Sequence, residues 1–407
     1  MRQPTMLFHK SVIGSALALA LFALPASAHW TYRVLYTFTD GQDGGDPYAG
    51  VIMDKEGNLY GTTVYFGDNA CSYFGETGCG TVYKIAPDGT ETTLHAFTGG
   101  SDGANPYGGL VMDKAGNLYG TTSYGGGSGD CYGAGCGTVF RLAPDGTETV
   151  LHAFAGGADG STPAAGLILD RAGNLFGTTV SGGGSSTNCE IEPAGCGTVF
   201  RIAPDGTETV LYAFQGGNDG GLPYAGVIGD RAGNLYGTTV DNTVYRLAPD
   251  GTETVLHLFD WEDGSEPYGG VIMDAAGNLY GTTAWGGSVE GTAFRLAADG
   301  TLTTLHNFTD EPDGANPYGG LVMDGHGNLY GTTNEGGRTR GFFGSTCGII
   351  FRLAPDGTET VLHTFDRKKG DGLSPYAGLI MDKMGNLYGT TYWSTRSGGG
   401  TVFEIAK

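Results

Sequence analysis

The chain has 407 residues, a formal net charge of −22 and 77 Gly, against a usual Gly share of ~7%. Its 39% hydrophobic and 11% aromatic fractions argue against a disordered low-complexity chain, and Gly does not recur at every third residue as in collagen. The acidic balance repels phosphate backbones and anionic membrane surfaces, so no nucleic-acid partner is expected. Residues 1–28 read as a cleaved signal peptide. Arg2 and Lys10 precede an apolar stretch at 11–24, and Ala26-Ser27-Ala28 supplies a small-residue cleavage site. The stretch is too short to span a bilayer comfortably. The mature chain is expected to start at His29, in the periplasm or released, with no membrane insertion after cleavage.

A strand is predicted at 33–38, followed by seven repeats. The word Gly-Asn-Leu-Tyr-Gly-Thr-Thr begins at Gly57, Gly116, Gly233, Gly277, Gly327 and Gly385, and at Gly173 with Phe176 for Tyr. Each unit reads as four strands. In the second unit they are A at 109–113, B at 118–123, C at 138–143 and D at 147–154. Turns at Ala115-Gly116-Asn117 and Asp145-Gly146 join A to B and C to D. Four-stranded units of this length, repeated seven times, predict an all-β fold: a seven-bladed β-propeller of antiparallel blades. A β-solenoid is the runner-up. The last unit ends at strand C, at 401–407, and lacks strand D. The strand at 33–38 is therefore expected to complete the last blade and close the ring, giving one domain over 29–407.

These units resemble the Gloeo/Verruco (GloVer) tandem-repeat family of bacterial proteins, on the words Gly-Asn-Leu-Tyr-Gly-Thr-Thr and Gly-Thr-Val-Phe-Arg-Leu. The resemblance implies a secreted or surface-anchored protein and no established activity. Some members carry C-terminal anchoring segments; this chain ends at Lys407, so a soluble product is expected. A likeness to lactonase-type propellers is one of fold.

The long connections, B–C and D–A, share one rim, and loops on a rigid scaffold carry most binding function. Each D–A loop holds an Asp-Gly, at Asp43, Asp102, Asp159, Asp219, Asp263, Asp313 and Asp371. Six then present Pro-Tyr, at Tyr48, Tyr107, Tyr224, Tyr268, Tyr318 and Tyr376, with Ala164 in the third unit. These tyrosines are expected to ring the mouth of the central channel. The Asp-Gly pairs read as Asx-turns. Three loops carry a richer set of hard oxygens that suits Ca²⁺: Asp40, Asp43 and Asp46; Asp260, Asp263 and Glu266; Asp310, Asp313 and Asn316. Aromatics at loop bases, Tyr65, Tyr124, Trp285 and Trp393, with Trp261 from a D–A loop, either pack under their loops or offer faces to sugars. Long B–C loops on units six, seven, one, two and three predict a raised wall with a notch at units four and five.

Six of the seven Cys fall two by two within B–C loops, Cys71 and Cys79, Cys131 and Cys136, Cys189 and Cys196, and three local disulfides are expected in an oxidising compartment. No second Cys stands near Cys347 in the sequence; it is expected to be either a free thiol or bridged to another chain, and the protein is otherwise expected to be a monomer. His95, His152, His257, His306 and His363 recur at one strand D position, with Tyr36 and Tyr212 in their place elsewhere, and read as structural. The hydrolase-like word around Ser101 lies in a D–A loop, not at a strand–turn–helix elbow. Arg338, Arg340, Arg367, Lys368 and Lys369 form a basic cluster, a solvated patch or a contact for an acidic partner. The sequence supports a secreted, non-enzymatic binding scaffold whose ligand is an extracellular glycan or protein, acting through the long-loop face. No cofactor is expected beyond the Ca²⁺ reading. The alternative is a propeller-type hydrolase, lyase or lactonase using channel-mouth carboxylates.

Overall fold

The computed structural model describes residues 30–407 except 69–70, 74, 128–130, 132, 185–188, 190–194, 288–289, 338–346 and 395–397. The segment read as a signal peptide, 1–28, lies outside the described residues, as do Arg338 and Arg340. Seven four-stranded antiparallel sheets form the blades, with small two-stranded additions at Ser72–Tyr73 with Glu76–Thr77 and at Gly372–Leu373 with Trp393–Ser394. In blade two the strands are A, Val111–Met112; B, Leu118–Thr122; C, Thr138–Leu142; and D, Glu148–Ala153. Strand A is shorter than the predicted 109–113, because Gly109 leaves the sheet to line the channel and Leu110 packs into the core. Strand D stops before Phe154, which turns inward and donates its amide to the Gly137 carbonyl at 3.0 Å.

The repeated word has a physical reason at each position. Asp113, at the end of strand A, accepts hydrogen bonds from the Asn117 amide and side chain, the Ala115 amide and the Tyr119 hydroxyl, at 2.7–3.1 Å. Gly116 takes φ 87 in that turn. Strand B needs Gly because the strand C aromatic lies over it: a Cβ on Gly120 would sit 2.7 Å from the Phe140 ring. The second Thr pairs within the blade, Thr122 with Thr138 at 2.8 Å. The first Thr reaches the next blade, where Thr121 donates to the Ala165 carbonyl at 2.9 Å.

Apolar contacts repeat the same step from blade to blade. The aromatic ending each strand D packs against the strand C aromatic of the next blade, as Phe97 does on Phe140 with centroids 5.2 Å apart. Phe38 on Tyr83 and Phe365 on Phe403 carry the pattern round the closure. Burying these rings fully gives each interface its main cohesion.

The ring closes as the termini predict. The N-terminal strand, Thr31–Thr37, pairs antiparallel with Thr401–Ala406 as the outer strand of blade seven. It begins two residues before the predicted 33–38 and stops one short. Arg33 caps the pairing with a 2.7 Å ion pair to Glu404. The three disulfides are present, with Cα atoms 5.1–5.7 Å apart. Cys347 is buried in the core between blades six and seven. No described helix is long and apolar enough to cross a membrane.

Candidate functional site: a tyrosine cup at the channel mouth

Each D–A loop is built by the same two devices. First, its Asp turns back onto the preceding strand D. Asp102, Asp159, Asp263, Asp313 and Asp371 meet His95, His152, His257, His306 and His363 at 2.9–3.4 Å. Asp43 and Asp219 accept the hydroxyls of Tyr36 and Tyr212 instead. Second, the residue before each Pro takes a left-handed conformation, with φ between 53 and 58 at Asp46, Asn105, Thr162, Leu222, Glu266, Asn316 and Ser374. That kink delivers the Pro-Tyr segment to the channel mouth.

The tyrosines meet there. Tyr48 stacks on Tyr376, with ring centroids 4.8 Å apart. Contacts of 5.1–5.6 Å continue from Tyr376 to Tyr318, Tyr268 and Tyr224, and from Tyr48 to Tyr107. Ala164 stands between Tyr107 and Tyr224, and among the described residues no ring contact joins those two. The chain then narrows the channel with Ala and Gly: a Cβ on Gly108 would lie 2.4 Å from the Ala165 oxygen.

The result is a cup of about 460 Å³ lined by the six tyrosines, by Ala and Gly below them, and by Ser123, Tyr124 and Thr162. No lining residue is Asp, Glu, Lys, Arg, His or Cys. Burial, and then neighbouring tyrosines, push the Tyr48 hydroxyl upward, while burial, then Tyr376 and the carboxylates of Glu266 and Glu335, push Tyr318 up to about 12. The lining side chains are therefore uncharged across the physiological range, on a protein of net charge −22, and the carboxylates that act on the ring, Glu266 and Glu335, stand outside the lining.

The other predicted residues divide. Tyr65 joins the ring through its hydroxyl, 3.1 Å from that of Tyr107, and Tyr124 lines the cup. Trp285 is half-buried, with its backbone paired to Ser265. Trp261 and Trp393 are 57% and 42% exposed and lie outside the cup. The predicted Ca²⁺ residues have separate tasks. Asp43 accepts from Thr39, and Asp313 from Thr309. Asp263 accepts the Asp260 amide, while Asp260 accepts those of Glu262 and Asp263. The Asn316 side chain donates to the Ala284 carbonyl of the preceding blade. Glu266 donates its amide to Asn242, and Asp310 pairs through its backbone with Gly314. Burial and neighbouring carboxylates raise Asp40 to about 6 and Asp46 to about 7. Among the described residues, no group of three or more His, Cys, Asp or Glu is arranged to hold a metal ion. Arg367, Lys368 and Lys369 form a single 3₁₀ turn capped by Asp366.

A family model described as the Gloeobacter/Verrucomicrobia repeat matches residues 20–191 and 186–403. The chain belongs to this repeat family. No curated protein matches it. Several solved structures are similar to it. A fungal alcohol oxidase in complex with copper is 12% identical, with a TM-score of 0.58 over 89% of this chain and 74% of that one. An extracellular domain from B. thetaiotaomicron, assigned to a one-component system, is 12% identical, with a TM-score of 0.56 over 92% of this chain and 40% of that one. A gluconolactonase from Xanthomonas campestris is 18% identical, with a TM-score of 0.44 over 92% and 88%. At 12% identity the likeness to the first two is one of fold, and the third, at a TM-score of 0.44, carries no argument.

One aromatic of this Gloeobacter/Verrucomicrobia repeat protein escapes a reading based on repeat position. Tyr392 directly follows the Thr-Thr pair, where Val64, Val180 and Val240 stand in other units. It touches Tyr376 and Tyr48, at 5.5 and 6.1 Å, and Trp393, at 5.7 Å. It thus links the cup to an exposed indole. The signal was an aromatic at a position otherwise filled by small or aliphatic residues.

Proposed function

We propose that this protein is a secreted, non-enzymatic binding module that takes a neutral carbohydrate in its tyrosine cup. The observation that carries the reading is the neutral aromatic lining on a strongly acidic protein. Aromatic faces attract the weakly positive C–H faces of a pyranose. Tyrosine hydroxyls and backbone groups supply donors and acceptors for sugar hydroxyls. The volume falls in the range usual for small-ligand sites, ~300–1,000 Å³. Anionic sugars fit poorly, because no lining side chain is cationic. The three disulfides suit the oxidising compartment that a secreted protein meets.

A glycan panel containing neutral and uronate-bearing oligosaccharides tests this. Retention of intact neutral sugars is the expected result. Cleavage of a retained sugar or lactone would instead establish the hydrolase, lyase or lactonase alternative.

A further inference from the structure

The tyrosine ring has six members on a sevenfold scaffold, and the vacancy falls at one place. Every blade contributes the same three consecutive positions to the cup, such as Tyr48, Ala49 and Gly50. Only beside blade three does the lining extend further, to Ser123, Tyr124 and Thr162. The cup therefore has a side notch where Ala164 replaces Tyr.

The notch has a definite chemistry. Tyr107 and Tyr224 flank it as the ends of the interrupted ring, and Tyr224 is 43% exposed, the most open of the six. Ser123 stands where Val64, Val180 and Val240 occur in other blades, and its hydroxyl donates to the Pro163 carbonyl at 3.1 Å. Thr162 occupies the left-handed position before Pro163, with φ 56. Hydroxyl-bearing residues thus edge a gap between aromatic walls, with no charge nearby in the lining.

We infer that the notch at Ala164 is a subsite for one neutral pyranose ring, the terminal unit of the bound saccharide. The inference rests on the carbohydrate reading of the cup. A flat ring with C–H faces and equatorial hydroxyls matches both features of the notch. Tyr107 and Tyr224 meet its faces or edges, and the half-buried Thr162 meets its hydroxyls, while the buried Ser123 holds the Pro163 carbonyl beneath. The rest of the saccharide extends over the unbroken arc from Tyr224 to Tyr48. The departure from sevenfold symmetry thereby gives an otherwise symmetric cup a single binding direction.

The test uses substitutions that the chain already tolerates at equivalent positions. Ala164→Tyr restores the residue found in six blades. Thr162→Leu copies Leu222, and Thr162→Ser copies Ser374. Binding of cellotriose, maltotriose, xylotriose and N-acetylchitotriose is measured by calorimetry, with thermal unfolding recorded for each variant. The expected result is that at least one trisaccharide binds the unaltered protein. Ala164→Tyr weakens it at least tenfold without lowering the unfolding temperature, Thr162→Leu weakens it at least threefold, and Thr162→Ser retains it. Undiminished binding by Ala164→Tyr overturns the notch and leaves the cup reading standing. If Ala164→Tyr unfolds, undiminished binding by Thr162→Leu overturns the notch equally. Failure of all four sugars to bind the unaltered protein overturns both.

Discussion

The Thr390 hydroxyl donates to the Ala49 carbonyl at 2.9 Å, joining residues 341 apart in sequence. It is the last of seven such bonds. Thr62, Thr121, Thr178, Thr238, Thr282 and Thr332 reach the following blades in the same way. Thr390 reaches blade one, so the closure repeats the ordinary blade interface. Thr390→Val removes the donor and leaves the Ala49 carbonyl buried without it. The expected cost is ~1–3 kcal/mol, read as a lower urea midpoint. An unchanged midpoint would show that the closure does not depend on this bond.

The pairing of strand D with its loop Asp explains why His and Tyr interchange. Both present a donor to the same carboxylate, as His306 does to Asp313 at 3.1 Å and Tyr36 to Asp43 at 2.9 Å. His306→Tyr is therefore expected to cost less than ~1 kcal/mol. His306→Phe keeps the ring, loses the donor and should cost ~1–3 kcal/mol. Equal effects of the two in chemical denaturation would contradict a hydrogen-bonding role.

Stability should fall as pH rises through the weakly acidic range. Burial, then the facing Asp219 and Asp313, push Glu253 and Glu359 up to about 7. Asp40 and Asp46 are raised in the same direction. In the unfolded chain these groups return to the ordinary carboxylate range. Between about pH 4.5 and 7 the folded state thus binds more protons than the unfolded state, and raising the pH is destabilising. Burial also raises Asp102, but hydrogen bonds from His95 and Thr98 outweigh it and hold the group low. Its contribution is lost only at lower pH. Thermal unfolding should therefore occur at a higher temperature at pH 5.5 than at pH 8. Glu359→Gln should flatten that difference.

Calcium should leave stability unchanged. The carboxylates of Asp43, Asp263 and Asp313 are already engaged by donors of their own loops and strands. An ion that binds only the folded state at 100 times its Kd would add ~2.7 kcal/mol. No shift in unfolding temperature is expected between millimolar Ca²⁺ and EDTA. A clear upward shift with Ca²⁺ would establish the metal reading of these loops.

Much of this molecule was legible because the repeats expose each position seven times. The missing strand after 401–407 and the spare one before the first unit announced the closure. The tyrosine mouth followed from the chain direction between outer and inner strands. Three things were less visible. Strand A looked longer, because Gly109 and Leu110 continue its apolar pattern, while Gly109 already lines the channel and Leu110 packs in the core outside the strand pairing. The His–Asp pairs were hidden because each His and its Asp lie 6–8 residues apart, around a loop whose path no local pattern specifies. The substitution of His by Tyr36 and Tyr212 was the clue to a shared acceptor. Tyr392 was missed because it precedes, by one residue, the aromatic position being compared.

Salt dependence of saccharide binding, with and without the ring, tests the central claim most directly. A neutral trisaccharide retained by the cup is titrated calorimetrically at 50 mM and 500 mM NaCl, using the unaltered protein and Tyr48→Ala. Tyr48 contacts Tyr107, Tyr376 and Tyr392, so its loss opens the ring at its best-packed point. The expected result is an affinity that salt leaves within about twofold, since no charge is paired, and that falls at least tenfold in Tyr48→Ala. Binding that salt abolishes, or that survives Tyr48→Ala intact, would contradict a neutral sugar site in the tyrosine cup.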